Sequence, residues 1–250
     1  MEKLHYEISP EFAHLEEFVL EVKSHFKQSN KTIHKARNEL KTLTINDENF
    51  VVKSFKIPKA FQKFIYSFCK NSKAKTSFLN ALSLKKLEIT TPDPVAFIEF
   101  YENGFLKESY FIAKEWKYDF TIREPLLDAN FPEKETLLKA FATFVYKLHE
   151  KHIIHKDLSP GNILIKKAKL QMCVVDINRM KFAPLSLNQR LKNFAKLWAK
   201  DEDLKTIIKH YALLSNIDEK KAIFLALKAS HQLKAKINFK KRLKGIKVVD

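Results

Sequence analysis

The sequence predicts an α+β, bilobal chain in which a small sheet-based lobe precedes a mainly helical one. Three observations carry this reading. Runs with β-branched or alternating apolar character crowd the first half. Apolar residues at a 3.6-residue period dominate from about residue 133 onward. With 45% apolar residues over 250 positions, the chain has ample material for a buried core.

In chain order, "KTIHKA", "ELKTLTI" and "NFVVKSF" read as three strands between residues 31 and 56, with "NDEN" as the turn before the third. Two helical stretches follow, "AFQKFIYSFC" and "SKAKTSFLNALSLKKL". "VAFIEF", the turn "YENG" and "FLKESYFIA" then form a hairpin. These elements make an N-terminal lobe of about residues 1–112.

The second lobe, about residues 113–233, opens with "TLLKAFATFVYKLHEKH". Leu137, Phe141, Phe144 and Leu148 share one face there, as an amphipathic helix requires. The runs "NILI" and "QMCVVDI" read as a hairpin joined by "KKAK". Ser186 and Gln189 form an S-x-x-Q capping box, opening a helix whose Leu187, Leu191, Phe194 and Trp198 fall on one side. Amphipathic stretches near 203–214 and 218–233 complete the lobe, and residues 234–250 read as a basic tail.

Charge and cysteine content bound the function. There are 46 Lys and Arg against 29 Asp and Glu, a net charge of +17, which favours anionic partners: nucleotide, nucleic acid or an anionic membrane surface. No nucleic-acid-binding motif accompanies the charge, and the Phe residues recur at core spacing, so no nucleic-acid partner is expected. The final stretch, "LKAKINFKKRLKGIKVVD", sets seven Lys and Arg against one Asp and suits either a membrane-surface contact or a solvated helix end. Cys69 and Cys173 lie singly in apolar runs, which excludes a disulfide framework and predicts a reducing compartment. The first residues lack the apolar core of a signal peptide, and no apolar run approaches 18 residues. A cytoplasmic location is expected, with peripheral contact at the inner face of the inner membrane.

One stretch concentrates chemistry. In "HIIHKDLSPGNILI", His155, Asp157 and Asn162 match H-x-D-L-x-x-x-N, and Asp176 follows at the end of a short apolar run in "VVDINRM". Phosphoryl transfer calls for these residue types. One carboxylate orients the acceptor hydroxyl, while an Asn oxygen and a second carboxylate hold Mg²⁺ on the nucleotide phosphates. A packed His155 supporting the loop backbone suits the pattern better than a proton carrier. His149 and His152 flank a helix end, where a positive imidazole would favour the C-terminal dipole.

With these residues in place, the chain resembles the protein-kinase-like superfamily. Within it, the closest likeness is to the bacterial lipopolysaccharide core kinases that act on heptose or 3-deoxy-D-manno-octulosonic acid (Kdo). The resemblance runs from about residue 31 to 212, on "IHKARNELK", "VVKSFKIP", "SKAKTSFLNALSL", "TTPDPVAFIE", "YDFTIREPL", "HKDLSPGNILI" and "VVDINRMKF". It implies one protein-kinase-like domain over 1–250 that binds ATP and Mg²⁺ and phosphorylates a sugar hydroxyl of an anionic glycolipid acceptor. It implies Asp157 as the catalytic base and Asn162 and Asp176 as metal ligands. Lys53, with Lys56 as its rival, would be the strand lysine at the phosphates. ATP is expected between the lobes, its adenine against the stretch from Ile112 to Glu115, and Arg179 is expected either to bind acceptor or phosphate anions or to form a structural salt bridge.

Two family features are missing. The first inter-strand turn, "HKARNELK", has no glycine, so Arg37 and Asn38 would replace the backbone phosphate cradle with side-chain donors. No Asp or Glu lies between Glu48 and Glu88, so the usual lysine–glutamate pair cannot form. These gaps keep a pseudokinase or scaffold as the alternative. About ten residues separate Asp176 from the helix near Leu187, too few for the activation segment of a protein kinase. Gly161, just before Asn162, likewise resembles small-molecule kinases, including those acting on aminoglycosides. An anionic acceptor fits a chain at +17 better than a cationic aminoglycoside.

Overall fold

The computed structural model describes residues 2–35, 38–55 and 71–246. Arg37, Lys56 and the stretch around Cys69 read as a helix from the sequence lie outside the described residues. The chain divides into two compact units, 1–117 and 118–250.

The first unit is built on a six-stranded antiparallel sheet, ordered β1-β5-β6-β4-β3-β2. Its strands are β1 (Glu2–Ile8), β2 (Thr32–Lys35), β3 (Glu39–Ile45), β4 (Glu48–Phe55), β5 (Pro94–Glu102) and β6 (Phe105–Lys114). Both tight hairpins use left-handed residues where the sequence places turn formers. Asn46 and Asp47 (φ 50° and 61°) join β3 to β4, and Asn103 and Gly104 (φ 52° and 78°) join β5 to β6.

Strand alternation sends the two faces of this sheet to different partners. Phe50, Val52, Ile98, Phe100, Tyr110 and Ile112 face a 3₁₀ turn (Pro10–Leu15), α1 (Glu16–Leu20) and α2 (Val22–Gln28), packing on Leu15, Val19, Val22 and Phe26. The opposite face carries Phe55 and Phe97, covered by α3 (Lys73–Lys86) through Ala74 and Phe78. Ser72 caps α3, its Oγ accepting from the Lys75 amide. Lys41, 9% exposed, bonds the Phe26 and Ser29 carbonyls with its ammonium and so pins the end of α2 to β3.

The strand β1 and the helices after it were not expected from the sequence. Leu4, Tyr6 and Ile8 alternate with polar residues, but the run is short and its apolar face is largely exposed, which weakens the signal. β1 forms by pairing with β5, a contact far away in sequence.

The second unit is mainly helical. It comprises β7 (Phe120–Thr121), α4 (Arg123–Leu127), α5 (Lys134–Glu150), β8 (Ile153–His155), β9 (Ile163–Lys166), β10 (Gln171–Val174), β11 (Met180–Phe182), α6 (Leu187–Asn193), α7 (Asp201–Ser215) and α8 (Glu219–Arg242). Two small sheets, β10-β9-β7 and β11-β8, carry the loops of interest. Leu137, Phe141 and Leu148 of α5 are buried, while Phe144 is half-buried. The capping box at Ser186 and Gln189 is formed at both ends.

Two expectations are corrected here. Trp198 does not share the buried face with Leu191 and Phe194: α6 gives way to a 3₁₀ turn, and Trp198 takes a left-handed conformation with its ring 40% exposed. The basic stretch beginning at residue 234 is no separate tail, because α8 runs unbroken through it to Arg242. Lys and Ala sustain helix there without needing a packing partner.

Candidate functional site

The second unit positions the candidate catalytic stretch from both sides. α5 ends where His152 turns left-handed (φ 58°) and feeds β8, which pairs with β11 so that His155 lies opposite Met180. The loop then runs through a 3₁₀ turn at Pro160–Asn162 into β9. β9 and β10 are antiparallel, with Ile163 opposite Val174. This register brings Asn162 beside Val175, whose amide donates to the Asn162 carbonyl at 2.9 Å.

His155 braces this arrangement. It is fully buried; its Nε2 lies 3.1 Å from the Val175 carbonyl, and its Nδ1 accepts from the Asp157 amide at 3.1 Å. A carbonyl can only accept and an amide N–H can only donate, so the ring is the neutral Nε2–H tautomer. Burial also pushes its pKa below the ordinary imidazole value. His155 thus links the Asp157 backbone to the residue before Asp176.

A buried chain of hydrogen bonds supports His155 in turn. Asn193 of α6 donates through Nδ2 to the His155 carbonyl at 2.9 Å, and its Oδ1 accepts from His149 Nε2 at 3.2 Å. His149 Nδ1 then accepts from the Tyr211 hydroxyl of α7 at 2.9 Å. Phe194 and Tyr211 present their rings edge-on to His149, 6.0 and 5.6 Å between centroids. Burial depresses the His149 pKa to about 4. The sequence reading of His149 as a charge at the helix end is therefore corrected: it is a neutral core group, because α6 and α7 close over the end of α5.

Asp157 and Arg179 form an ion pair, Arg179 Nη1 donating to Asp157 Oδ2 at 3.0 Å. Asn162 uses Nδ2 to hold the Asp157 carbonyl at 2.9 Å, which leaves its Oδ1 as the acceptor end. Asp176 adopts a left-handed conformation (φ 55°), and its Oδ1 accepts from Asn178 Nδ2 at 2.8 Å. Among the described residues no three or more His, Cys, Asp and Glu side chains gather into a self-sufficient metal site. An amide oxygen and a carboxylate are hard donors, and Mg²⁺ characteristically completes such a sparse set with water and phosphate oxygens. The residues present therefore fit Mg²⁺ held jointly with a nucleotide.

Gly161 has a neighbour that the sequence did not reveal. A Cβ placed there would lie 2.8 Å from Arg123 Nη2 and 3.4 Å from its Cζ. The guanidinium of α4 thus fills the space that a side chain at 161 would take.

In the first unit, Lys53 is half-buried on β4 opposite Phe111, on the face covered by α3, with its ammonium 5.3 Å from the Phe55 ring centroid. Asn38 sits in the bend between β2 and β3, and its Oδ1 is buried without a hydrogen-bond partner among the described residues. The Ile112 side chain is fully buried in the core against α1 and α2, which leaves its backbone for an adenine contact at that position. Glu115 is tied to Asn49, its amide donating to the Asn49 carbonyl at 2.8 Å and its Oε2 accepting from Nδ2 at 2.9 Å.

Sequence reasoning missed Asn193, Tyr211 and Arg123. Asn193 interrupts the apolar face between Leu191 and Phe194, a polar intrusion that would have flagged a buried hydrogen-bonding group. Tyr211 reads as one more apolar residue at helical spacing, and Arg123 carries no signal beyond its place in "TIREPL".

Residues 59–215 match the model of the lipopolysaccharide kinase (Kdo/WaaP) family. The solved structure of WaaP in complex with acyl carrier protein is similar to this chain, with a TM-score of 0.62 at 15% identity, covering 91% of this chain and 98% of that one. At that identity the likeness is one of fold. No curated protein sequence matches the chain.

Proposed function

The chain belongs to the lipopolysaccharide kinase (Kdo/WaaP) family and is a kinase acting on the lipopolysaccharide core; from that premise we propose that it transfers the γ-phosphoryl group of ATP to a Kdo or heptose hydroxyl of the inner core. The observation that carries this reading is the arrangement of Asp157, Asn162 and Asp176 on one braced pair of loops. Asn162 Oδ1 and the Asp176 carboxylate would hold Mg²⁺. When bound, the ion neutralises charge on the nucleotide phosphates.

Asp157 orients the acceptor. Arg179 engages Oδ2, which leaves Oδ1 for the incoming hydroxyl. Asp157 aligns that hydroxyl and accepts its proton as the bond to phosphorus forms and ADP leaves. The neutral His155 fixes the loop and moves no proton. Lys53, with Arg37 and Asn38, serves as a donor to the nucleotide phosphates.

A peripheral membrane contact completes the reading. Among the described residues no helix is long and apolar enough to cross a membrane. Phe239, Leu243 and Ile246 follow at i, i+4 and i+7, and are 62%, 71% and 51% exposed. Lys236, Lys240, Lys241, Arg242 and Lys244 surround them. An apolar stripe with basic flanks suits an anionic lipid surface.

Mass spectrometry of lipopolysaccharide from a deletion strain tests the function. Loss of one phosphate from an inner-core sugar is expected, with restoration by the wild-type chain and not by Asp157→Asn. An unaltered core profile would refute the acceptor assignment.

A further inference from the structure

Three of the four guanidinium groups in the second unit differ in how they are committed. Arg179 pairs with Asp157, and Arg190 with Glu150. Arg123 is exposed, and among the described residues no carboxylate pairs with it. Its neighbour Glu124 is occupied instead with the Thr121 amide and hydroxyl, at 2.9 and 2.6 Å. The uncommitted guanidinium nevertheless has a defined place, against Gly161, the residue before metal-ligand candidate Asn162. A glycine there lets a cation from another element lie on the catalytic loop.

We propose that Arg123 binds an oxyanion carried by the sugar acceptor, a carboxylate or a phosphate next to the hydroxyl that is phosphorylated. The inference rests on the kinase reading above and adds the residue that selects the acceptor. A planar guanidinium matches either oxyanion with two parallel hydrogen bonds. Contact with the Gly161 backbone limits its rotamers before binding, which lowers the ordering cost. Arg179, already engaged by Asp157, is less available for this task.

The test uses the full chain with Mg·ATP and, as acceptor, lipopolysaccharide isolated from the deletion strain. In Arg123→Ala the KM for lipopolysaccharide should rise about tenfold or more, a loss typical of one charge-assisted contact, while the KM for ATP and kcat stay within about threefold. Arg123→Lys should recover part of the loss, and Gly161→Ala, which displaces the guanidinium without deleting it, should reproduce much of it. A raised KM for ATP with an unchanged acceptor KM would place Arg123 on the nucleotide and overturn the proposal.

Direct binding of the same lipopolysaccharide, without nucleotide, separates this proposal from the kinase reading. If wild type phosphorylates nothing yet Arg123→Ala binds about tenfold more weakly, the kinase reading fails and the anion site stands. Equal binding by wild type and Arg123→Ala overturns the anion site. Amidating the acceptor carboxylates, or removing its phosphates enzymatically, should erase the difference between the two proteins. Whichever treatment does so identifies the oxyanion; if neither does, the proposal is wrong.

Discussion

Protonating His149 should destabilise the second unit from within, and the size of the effect follows from its surroundings. Its imidazole is buried between Tyr211 and Asn193, with a pKa of about 4 in the folded chain against 6.5 for an unperturbed histidine. The folded pKa is depressed and the base is neutral, so the unfolded chain binds the proton more readily. Stability is therefore full above about pH 6.5 and falls as pH drops toward 4. At about 1.4 kcal/mol per pKa unit, this group alone removes about 1.4 kcal/mol by pH 5.5, about 2 by pH 5 and about 3 by pH 4. Urea unfolding followed by circular dichroism, on wild type and His149→Gln at pH 7, 6 and 5, measures it. The variant is less stable at pH 7, having lost packing and hydrogen bonds, but it lacks this titration. The two stabilities should approach one another by about 2 kcal/mol between pH 7 and 5. His155, also depressed by burial, titrates in both proteins and cancels in the comparison. Curves that stay parallel over this range would show that His149 is not held neutral by the fold.

Other perturbations probe the same scaffold and its surface. Asn193→Leu strands the His155 carbonyl and a His149 N–H in the core and should cost about 2–4 kcal/mol, read as a lower urea midpoint at pH 7. Asp157→Asn should lower kcat by about 10² to 10⁴ while leaving unfolding nearly unchanged, since Asp157 is partly exposed and braced through its backbone. Mg²⁺-nucleotide should raise the melting temperature of the wild-type chain and fail to do so in Asp176→Ala, as thermal shift will report. Phe239→Ser with Leu243→Ser should weaken sedimentation with vesicles containing anionic lipid, and added salt should weaken it further; equal binding to neutral vesicles would argue against an electrostatic contact.

The fold was legible where local pattern and tertiary packing agree. Asn46-Asp47 and Asn103-Gly104 announce their hairpins because their φ angles are positive, and the Ser186–Gln189 box marks the start of α6 because both of its hydrogen bonds are local. β1 was not legible, since its strand state depends on pairing with β5 and its own apolar face stays exposed. Trp198 misled because helical periodicity continues in the sequence past the point where the backbone turns left-handed. Within the site, residue types at fixed spacing gave Asp157, Asn162 and Asp176. Their support is non-local: nothing in "FVYKLHEKH" distinguishes His149, which becomes a buried neutral base only when Asn193 and Tyr211 arrive from distant helices. Ile112 lies in the stretch expected at the nucleotide, and the strand's alternation turns its side chain into the core.

The hydrogen bonds from Tyr211 through His149, Asn193 and His155 all run in one direction, each donor aimed at the next acceptor. The His155 and Val175 carbonyls can only accept, which fixes the donors along the chain, and both imidazoles ionise only below the ordinary histidine range. Near neutral pH the brace is consequently electrically silent. A pH–rate profile recorded between about 7 and 9 would then report groups that meet the reactants, with no contribution from the histidines that hold the loop.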